Sequence, residues 1–315
     1  MKRNLLLVIL FLFLFCSGVL LGSSALTAGE IFSSPIAALR AVRILGAFVI
    51  GGSLALSGLV FQAVLKNLLA EPFTLGIAGG SGVGAALAII LGLKTITLLA
   101  IPFSALLGAL TVLGIVLLIS RKSNFGSESL LLSGVIAGTV CSNILMYLLS
   151  AAENDELANV TWWMLGDLQS VDLPLLSFQA GYACFALVLL QFFSNEINAV
   201  SLGDEQAFYL GVNVKKMNFI LILTAALLSA GTVALAGIIS FCGLIIPHIV
   251  RRLHGSDHRK IIVTTFLYGG CFLMICDIIS RIIFAERELP IGVLTALIGG
   301  PVFLTILCKR SKYNA

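Results

Sequence analysis

Three histidines and an aspartate lie in one short stretch whose residue types could bind a metal ion: His248, His254, Asp257 and His258. Imidazole and carboxylate groups at such spacing are ordinary zinc ligands. The same stretch carries four basic residues, Arg251, Arg252, Arg259 and Lys260. Because their positive charges oppose the binding of a cation, we expect no metal site here, and we expect no cofactor elsewhere in the chain.

Catalytic chemistry has little support in the sequence. No serine, cysteine or carboxylate pair stands in an arrangement typical of nucleophilic or acid–base catalysis. The glycine-rich stretch from Gly79 to Gly84 lacks the Lys-Ser/Thr that a phosphate-binding loop requires. We therefore expect a protein without enzyme activity of its own. No basic stripe interleaved with aromatic residues indicates nucleic-acid binding.

The composition indicates that this protein is surrounded by lipid. Hydrophobic residues make up 59% of the 315 residues and charged residues only 11%, whereas soluble proteins carry roughly 25% charged residues. A chain with so few charges cannot cover a water-facing surface. We expect an all-α integral membrane protein in which residues 1–315 form a single membrane domain.

Apolar runs long enough to cross a bilayer give the helix count. They occupy residues 4–22, 44–65, 74–92, 95–119, 129–150, 173–193, 217–250, 261–284 and 290–308. The run 217–250 is long enough for two short helices, and Gly231 or Gly237 offers a turn between them. The first run follows Lys2 and Arg3 and is predicted to be an uncleaved helix. The chain therefore has about ten predicted transmembrane helices.

The distribution of basic residues orients these helices. With ten passes, both termini lie on one side, and 14 of the 19 basic residues fall on that side. The five on the other side are Arg40, Arg43, Lys94, Arg281 and Arg287. Counting 217–250 as one pass would divide the basic residues almost evenly. The positive-inside rule favours ten passes with both termini in the cytoplasm.

Four polar residues at or within the spans need partners. Gln62 lies inside the second span, where its amide either lines a pathway or bonds a neighbouring helix. Arg40, Arg43 and Arg281 lie on the predicted outer side, against the charge bias. They either dock an acidic partner or pair locally, since Asp277 lies one helical turn before Arg281.

Several segments together resemble the FecCD-type permease family, the membrane subunits of importers for iron–siderophores, haem and cobalamin. The ordered set runs from about 36 to 308. It comprises Arg40-Ala41-Val42-Arg43, Asn67-Leu68-Leu69-Ala70-Glu71-Pro72, Leu202-Gly203-Asp204 with Leu210-Gly211, Gly243-Leu244-Ile245-Ile246-Pro247-His248, Asp277 with Arg281, and Gly299-Gly300-Pro301. Two family prolines are absent, with Leu68 and Val42 in their places, which changes the expected local loop shape.

The resemblance implies the partners and the roles of particular residues. It implies a separate cytoplasmic ATPase of the ATP-binding-cassette (ABC) class, an extracytoplasmic substrate-binding protein, and a second permease copy or paralogue, in a bacterial cytoplasmic (inner) membrane. Roles carried over from the family fall into three groups. They are docking of the binding protein by Arg40, Arg43 and Arg281, a cytoplasmic gate of Asn67, Leu69, Ser127 and Glu128, and ATPase coupling by Gly203, Asp204, Ala207, Leu210 and Gly211.

Two functional alternatives remain open at this point. The leading hypothesis is an ABC import permease, with iron–siderophore complexes as the expected substrate and haem or cobalamin as alternatives. The second is a transporter driven by an ion gradient, which would carry carboxylates near the middle of its spans. Asp277 is the carboxylate that comes nearest to that requirement.

Overall fold

The computed structural model describes residues 2–21, 35–95, 97, 99–123, 125–283 and 288–311. Arg287 and Lys312, two of the basic residues used for the topology, lie outside this set. The described residues fold into thirteen α-helices. Their ranges are α1 Lys2–Leu20, α2 Pro35–Val64, α3 Ile77–Ile90, α4 Ala100–Ser120, α5 Ser127–Ala151, α6 Asn154–Met164, α7 Leu173–Phe192, α8 Ser194–Leu202, α9 Asp204–Tyr209, α10 Val214–Ala236, α11 Cys242–His254, α12 His258–Ile282 and α13 Ile291–Ser311.

The predicted helical class is confirmed, while the number of passes stays a prediction. Six helices, α2, α4, α5, α7, α10 and α12, are long and apolar enough to cross a membrane. Shorter apolar stretches lie in α1, α3 and α13, and α11 has 13 residues. The predicted division of 217–250 into two helices is confirmed. The break falls at Gly237, which has a positive φ of 69°, while Gly231 lies inside α10.

Helix α2 forms the centre of the molecule. It packs against α12, α10, α11, α7 and α1, and the side chains from Ile50 to Val64 are all buried. Backbone-to-backbone packing brings these helices close, as is common in lipid. A Cβ added to Gly58 would lie 1.9 Å from the carbonyl oxygen of Gly243 in α11. Helices α4, α5 and α7 direct most of their apolar side chains outward.

Candidate functional site

Two of the three predicted docking arginines bind the C-terminal end of α1. The Arg40 Nη1 lies 3.4 Å from the Val19 carbonyl oxygen and 3.3 Å from that of Leu20. The Arg281 Nη1 lies 2.9 Å from the Gly18 carbonyl oxygen and 3.2 Å from that of Leu21. The last carbonyls of a helix lack donors within the helix, and positive charge there is favoured by the helix dipole. Both guanidinium groups therefore act as a cap on α1.

Asp277 joins Arg43 and Arg281 into one buried network. Its Oδ1 accepts from the Arg43 Nε at 2.7 Å, and its Oδ2 lies 2.7 Å from the Arg281 Nη2. The Asp277 side chain is fully buried, and that of Arg281 is 2% exposed. Of the two alternatives for Arg281, the local pair with Asp277 is present. The Asp277 carboxylate is thus paired with two guanidinium groups.

Arg43 is the member of the network nearest to water, with 13% of its side chain exposed. Its Nη1 donates to the Glu288 Oε2 at 2.7 Å, and the Gln169 Nε2 donates to the same oxygen at 2.6 Å. Partial burial raises the pKa of the Glu288 carboxyl, but the hydrogen bonds from Arg43 and Gln169 and the positive charges of Arg43 and Arg281 outweigh it, so the pKa lies below its ordinary value.

A cavity of about 700 Å³ opens beside this network. Its walls come from α6, from the loop after α6 and from the segment before α13. The lining includes Arg43, Trp162, Trp163, Asp167, Gln169 and Glu288. The backbone holds these segments together, because the Asp167 N–H donates to the Ala236 carbonyl and the Gly292 N–H donates to the Leu165 carbonyl. The predicted outer segment thus forms a wall with both aromatic and charged side chains.

Gln62 bonds a neighbouring helix. Its Nε2 donates to the carbonyl oxygens of Gly243 and Leu244 in α11, at 3.2 and 3.3 Å, and to that of Ala70 at 3.2 Å. The Gly243 carbonyl has no helical donor because Pro247, four residues on, lacks an N–H. The Gln62 Oε1 accepts from Arg251. The other alternative for Gln62, a place along a pathway, stays a prediction.

The predicted gate residues lie in two places. Asn67 and Leu69 lie on residues 66–71, here called the gate loop, and Ser127 and Glu128 lie at the start of α5. Asn67 organises the gate loop. Its Oδ1 accepts from the Leu69 N–H at 2.9 Å, and its carbonyl accepts from the Ala70 N–H at 3.0 Å. This side-chain turn is a common substitute for a backbone turn. The Leu69 side chain is exposed.

Ser127 and Glu128 form the first turn of α5. Glu128 is exposed there, and a carboxylate at a helix N-terminus is favoured by the dipole. Further along α5, Gly134 packs against the segment after the gate loop, since an added Cβ would lie 2.5 Å from the Thr74 carbonyl oxygen. The two places therefore belong to neighbouring elements, whereas closure across a second copy stays a prediction.

The predicted ATPase-coupling residues, from Gly203 to Gly211, form the short helix α9 and the turns at its two ends. Helix α9 has six residues and lies between Gly203 and Gly211, whose φ angles are 137° and 83°. Its one buried side chain is Ala207. The side chains of Phe208, Tyr209 and Leu210 are 70%, 79% and 65% exposed. Three large exposed side chains at one helix end form a surface that suits contact with another protein.

Sequence reasoning missed Phe208 and Tyr209. The available signal was two adjacent aromatic residues in the longest polar connection between predicted spans. It also missed the ion pair that joins α9 to α2, in which the Lys66 Nζ lies 2.7 Å from the Asp204 Oδ1. No pattern in the sequence points to that pair.

Two members of the histidine cluster, Asp257 and His258, lie at the contact between α8 and α12. The Asn198 Oδ1 lies 2.9 Å from the backbone N and 2.7 Å from the Nδ1 of His258, and the Asn198 Nδ2 donates to the Asp257 Oδ1 at 2.9 Å. Hydrogen bonds from Arg259 and Asn198 hold the pKa of the Asp257 carboxyl well below its usual range. Among the described residues, no group of three or more histidines, cysteines or carboxylates could hold a metal ion.

Comparison with known proteins places this arrangement in a family. Residues 8–309 match the model of the FecCD transport family. The vitamin B12 import system permease protein BtuC of Yersinia enterocolitica is 37% identical over 278 residues, which are 86% of this chain and 81% of the relative. The ABC transporter permease protein YvrB of Bacillus subtilis is 34% identical, over 87% of this chain and 78% of the relative.

A solved structure shares the whole architecture. It is described as an inward-facing conformation of a metal-chelate type ABC transporter, with a TM-score of 0.88 at 29% identity over 98% of this chain and 99% of that one. PsaBC from Streptococcus pneumoniae shares the fold at a TM-score of 0.57 and 16% identity, over 88% of this chain and 92% of that one. The chain therefore belongs to the FecCD transport family and is a permease subunit of an ABC importer of the FecCD and BtuC type.

Proposed function

We propose that this permease carries a bulky metal chelate across a bacterial cytoplasmic membrane. The observation that supports this most directly is the likeness, over nearly the whole chain, to a metal-chelate type transporter. An iron–siderophore complex is the first candidate, because that is the commonest role implied by the family resemblance, and haem is an alternative. Cobalamin is the second candidate, because the first relatives are named vitamin B12 permeases.

Uptake by a deletion strain tests the substrate. The strain lacks this chain and is complemented with the parent gene or an empty vector. Labelled ferric siderophore, haem and cobalamin are then supplied separately. We expect the parent gene to restore the ATP-dependent accumulation of one of the three. Equal accumulation with and without the gene for all three compounds would contradict the proposal.

We propose ten membrane passes with both termini in the cytoplasm. The six long spans would be joined by α1, α3, α11 and α13. Helix α11 is about 20 Å long at 1.5 Å per residue, shorter than the roughly 30 Å hydrocarbon core, so it would cross with help from the segment between α10 and α11. Modification of a cysteine at Lys122 only after the membrane is permeabilised would support this topology. Modification at Lys122 in intact cells would contradict it.

We propose that α8 and α9 seat the cytoplasmic ATPase. The exposed Phe208, Tyr209 and Leu210 supply apolar contact area, and the glycine turns at Gly203 and Gly211 let α9 adapt to the partner. Gly211→Trp is expected to uncouple ATP hydrolysis from uptake, because a residue with a Cβ is disfavoured at a φ of 83°. Normal uptake and normal ATPase binding in this variant would count against the assignment.

We propose that the outer face docks a substrate-binding protein. Among the three predicted docking residues, Arg40 and Arg281 are buried against α1, which leaves Arg43 and the rim of the outer cavity as the accessible part. Arginine forks suit carboxylate partners. Because Arg40→Glu would also disturb α1, Arg43→Gln is the sharper test, with Lys94→Gln as a matched control on the same face. A binding-protein affinity that is equal in the two variants at low salt would refute docking through Arg43.

We propose that Asn67, Leu69, Ser127 and Glu128 form a cytoplasmic gate with a second permease copy or paralogue, and that Gln62 lies beside the path. The exposed Leu69 and Glu128 are available for contact across a pair of subunits. Cysteines at positions 67 and 127 should crosslink between subunits in one nucleotide state. No crosslink in any nucleotide state would remove the gate assignment. Family membership favours ATP-driven import over the ion-gradient alternative.

A further inference from the structure

Helix α2 ends at an unusual backbone turn that carries the ion pair to α9. Lys66 has a φ of 50°, a left-handed conformation in which a residue with a Cβ is disfavoured. Its Nζ reaches the Asp204 Oδ1 in the first turn of α9 at 2.7 Å. The side chain that leaves this turn therefore contacts the segment assigned to ATPase coupling.

Helix α9 has a glycine turn at each end. Gly203 precedes it and Gly211 follows it, both with positive φ, and glycine crosses this region of backbone space at little cost. Inside the molecule α9 is fixed by the buried Ala207, whose carbonyl accepts from the Val212 N–H. The contact of Asp204 with Lys66 joins α9 to the end of α2.

On the other side of Lys66, the gate loop is bonded into a compact unit. Asn67 closes the turn onto Leu69 through its side chain, and the Ala70 carbonyl accepts from Gln62 in α2. A displacement of Lys66 thus moves the residues that follow it together. Because Asn67 and Leu69 are proposed gate residues, the ion pair connects α9, the proposed ATPase-binding helix, with the gate loop through a side-chain contact.

We propose that the Lys66–Asp204 ion pair transmits the movement of α9 to the gate loop, so that Lys66 is a positioning residue for the gate. This inference rests on the proposed roles of α9 and of the gate loop. The two side chains are 27% and 44% exposed, so water and salt weaken the pair, and its loss should change a coupled property only about two- to fivefold.

The first experiment measures coupling in the complete transporter. The permease is reconstituted with its ATPase and binding protein in proteoliposomes, and ATP hydrolysis is measured with and without the binding protein. In Lys66→Glu and in Asp204→Lys, the ratio of stimulated to basal hydrolysis should fall about two- to fivefold. The charge-swapped double variant should recover the ratio. Lys260→Glu, the same charge change at an exposed site on α12, should keep it.

The second experiment needs no partner. Hydrogen exchange of the Leu69 and Ala70 amides is followed in the purified permease in lipid nanodiscs, because both amides donate within the gate loop. Their exchange should accelerate about two- to fivefold in each single variant and return toward the parent rate in the swapped variant. Unchanged exchange in the single variants, or a swapped variant as fast as they are, overturns the inference.

The two experiments separate this inference from the proposed function. If no ATPase associates with the parent permease, the proposed function fails and transmission fails with it, whatever the exchange rates show. If the ATPase associates and is stimulated but Lys66→Glu and Asp204→Lys keep the parent ratio, the proposed function survives and the transmitting role of the pair is overturned. A loss in the single variants that the swap does not repair shows two separate roles, which also overturns it.

Discussion

Asp277→Asn removes the one negative charge that lies between two buried guanidinium groups. In the parent, Asp277 is fully buried and contacts Arg43 and Arg281 at 2.7 Å each. Asparagine keeps the shape of the side chain, but its amide nitrogen would face a guanidinium donor. Arg43 keeps its contact with Glu288, whereas Arg281 keeps hydrogen bonds to the carbonyl oxygens of Asp277, Gly18 and Leu21. The substitution thus leaves a buried cation without a countercharge.

The expected cost follows from that burial. Removing one partner of a buried ion pair typically costs about 3–5 kcal/mol, because the other charge is left uncompensated. The matched control is Glu288→Gln, which removes a carboxylate from Arg43 at a site 26% exposed. A partly exposed pair contributes about 0.2–1 kcal/mol. We therefore expect Asp277→Asn to lower the free energy of unfolding several times more than Glu288→Gln.

Unfolding in mixed micelles by a denaturing detergent, followed by helical circular dichroism, measures both variants on the same scale. A double variant with Asp277→Asn and Arg281→Met should lose less than the sum of the two single losses, because the uncompensated cation is removed together with its partner. Equal destabilisation by Asp277→Asn and Glu288→Gln would refute the buried-network argument, and so would full additivity in the double variant.

Three further predictions concern Gln62, Tyr209 and Asp257. Gln62→Leu should lower the free energy of unfolding by about 1–3 kcal/mol, because the Gly243 carbonyl loses its donor; no loss in the micelle assay would contradict this. Tyr209→Asp should reduce co-purification of the ATPase at least tenfold with an unchanged melting temperature; undiminished co-purification would contradict the seat on α9. Asp257→Asn should lower the free energy of unfolding by the same amount at every pH between about 5 and 8. The pKa of Asp257 is lower in the folded protein than in the unfolded chain, so its carboxylate stabilises the fold above the unfolded pKa of about 3.9. This stabilisation shrinks as the pH falls below that value. A difference in stability between parent and variant that vanishes near pH 6 would contradict the role of Arg259.

The membrane class and the family could be predicted from the sequence. A chain with 11% charged residues has too few charged side chains to cover a water-facing surface. The family motifs also occur in the expected order along nearly all of the chain. The break between α10 and α11 was also predictable, because a run of that length is too long for one pass and contains glycines. These properties depend on local composition and spacing, which any reader of the sequence can count.

The partners of the polar residues were decided by the tertiary structure. The position of Arg40 and Arg281 at predicted outer helix ends is compatible with docking and with a cap on another helix. Only the packing of α1 beside α2 and α12 brings the Gly18 and Leu21 carbonyls to Arg281. The bonds of Gln62 to α11 depend in the same way on the close approach of Gly58 and Gly243.

In lipid, apolar periodicity does not tell which helix faces which, since the solvent is as apolar as the side chains. The choice among neighbours is made by small residues that allow close approach and by buried polar groups that must find partners. Those partners lie far apart in the chain, as Lys66 and Asp204 do. Composition and spacing therefore determined that this protein enters a membrane and which family it belongs to, while long-range packing alone decided which charges meet.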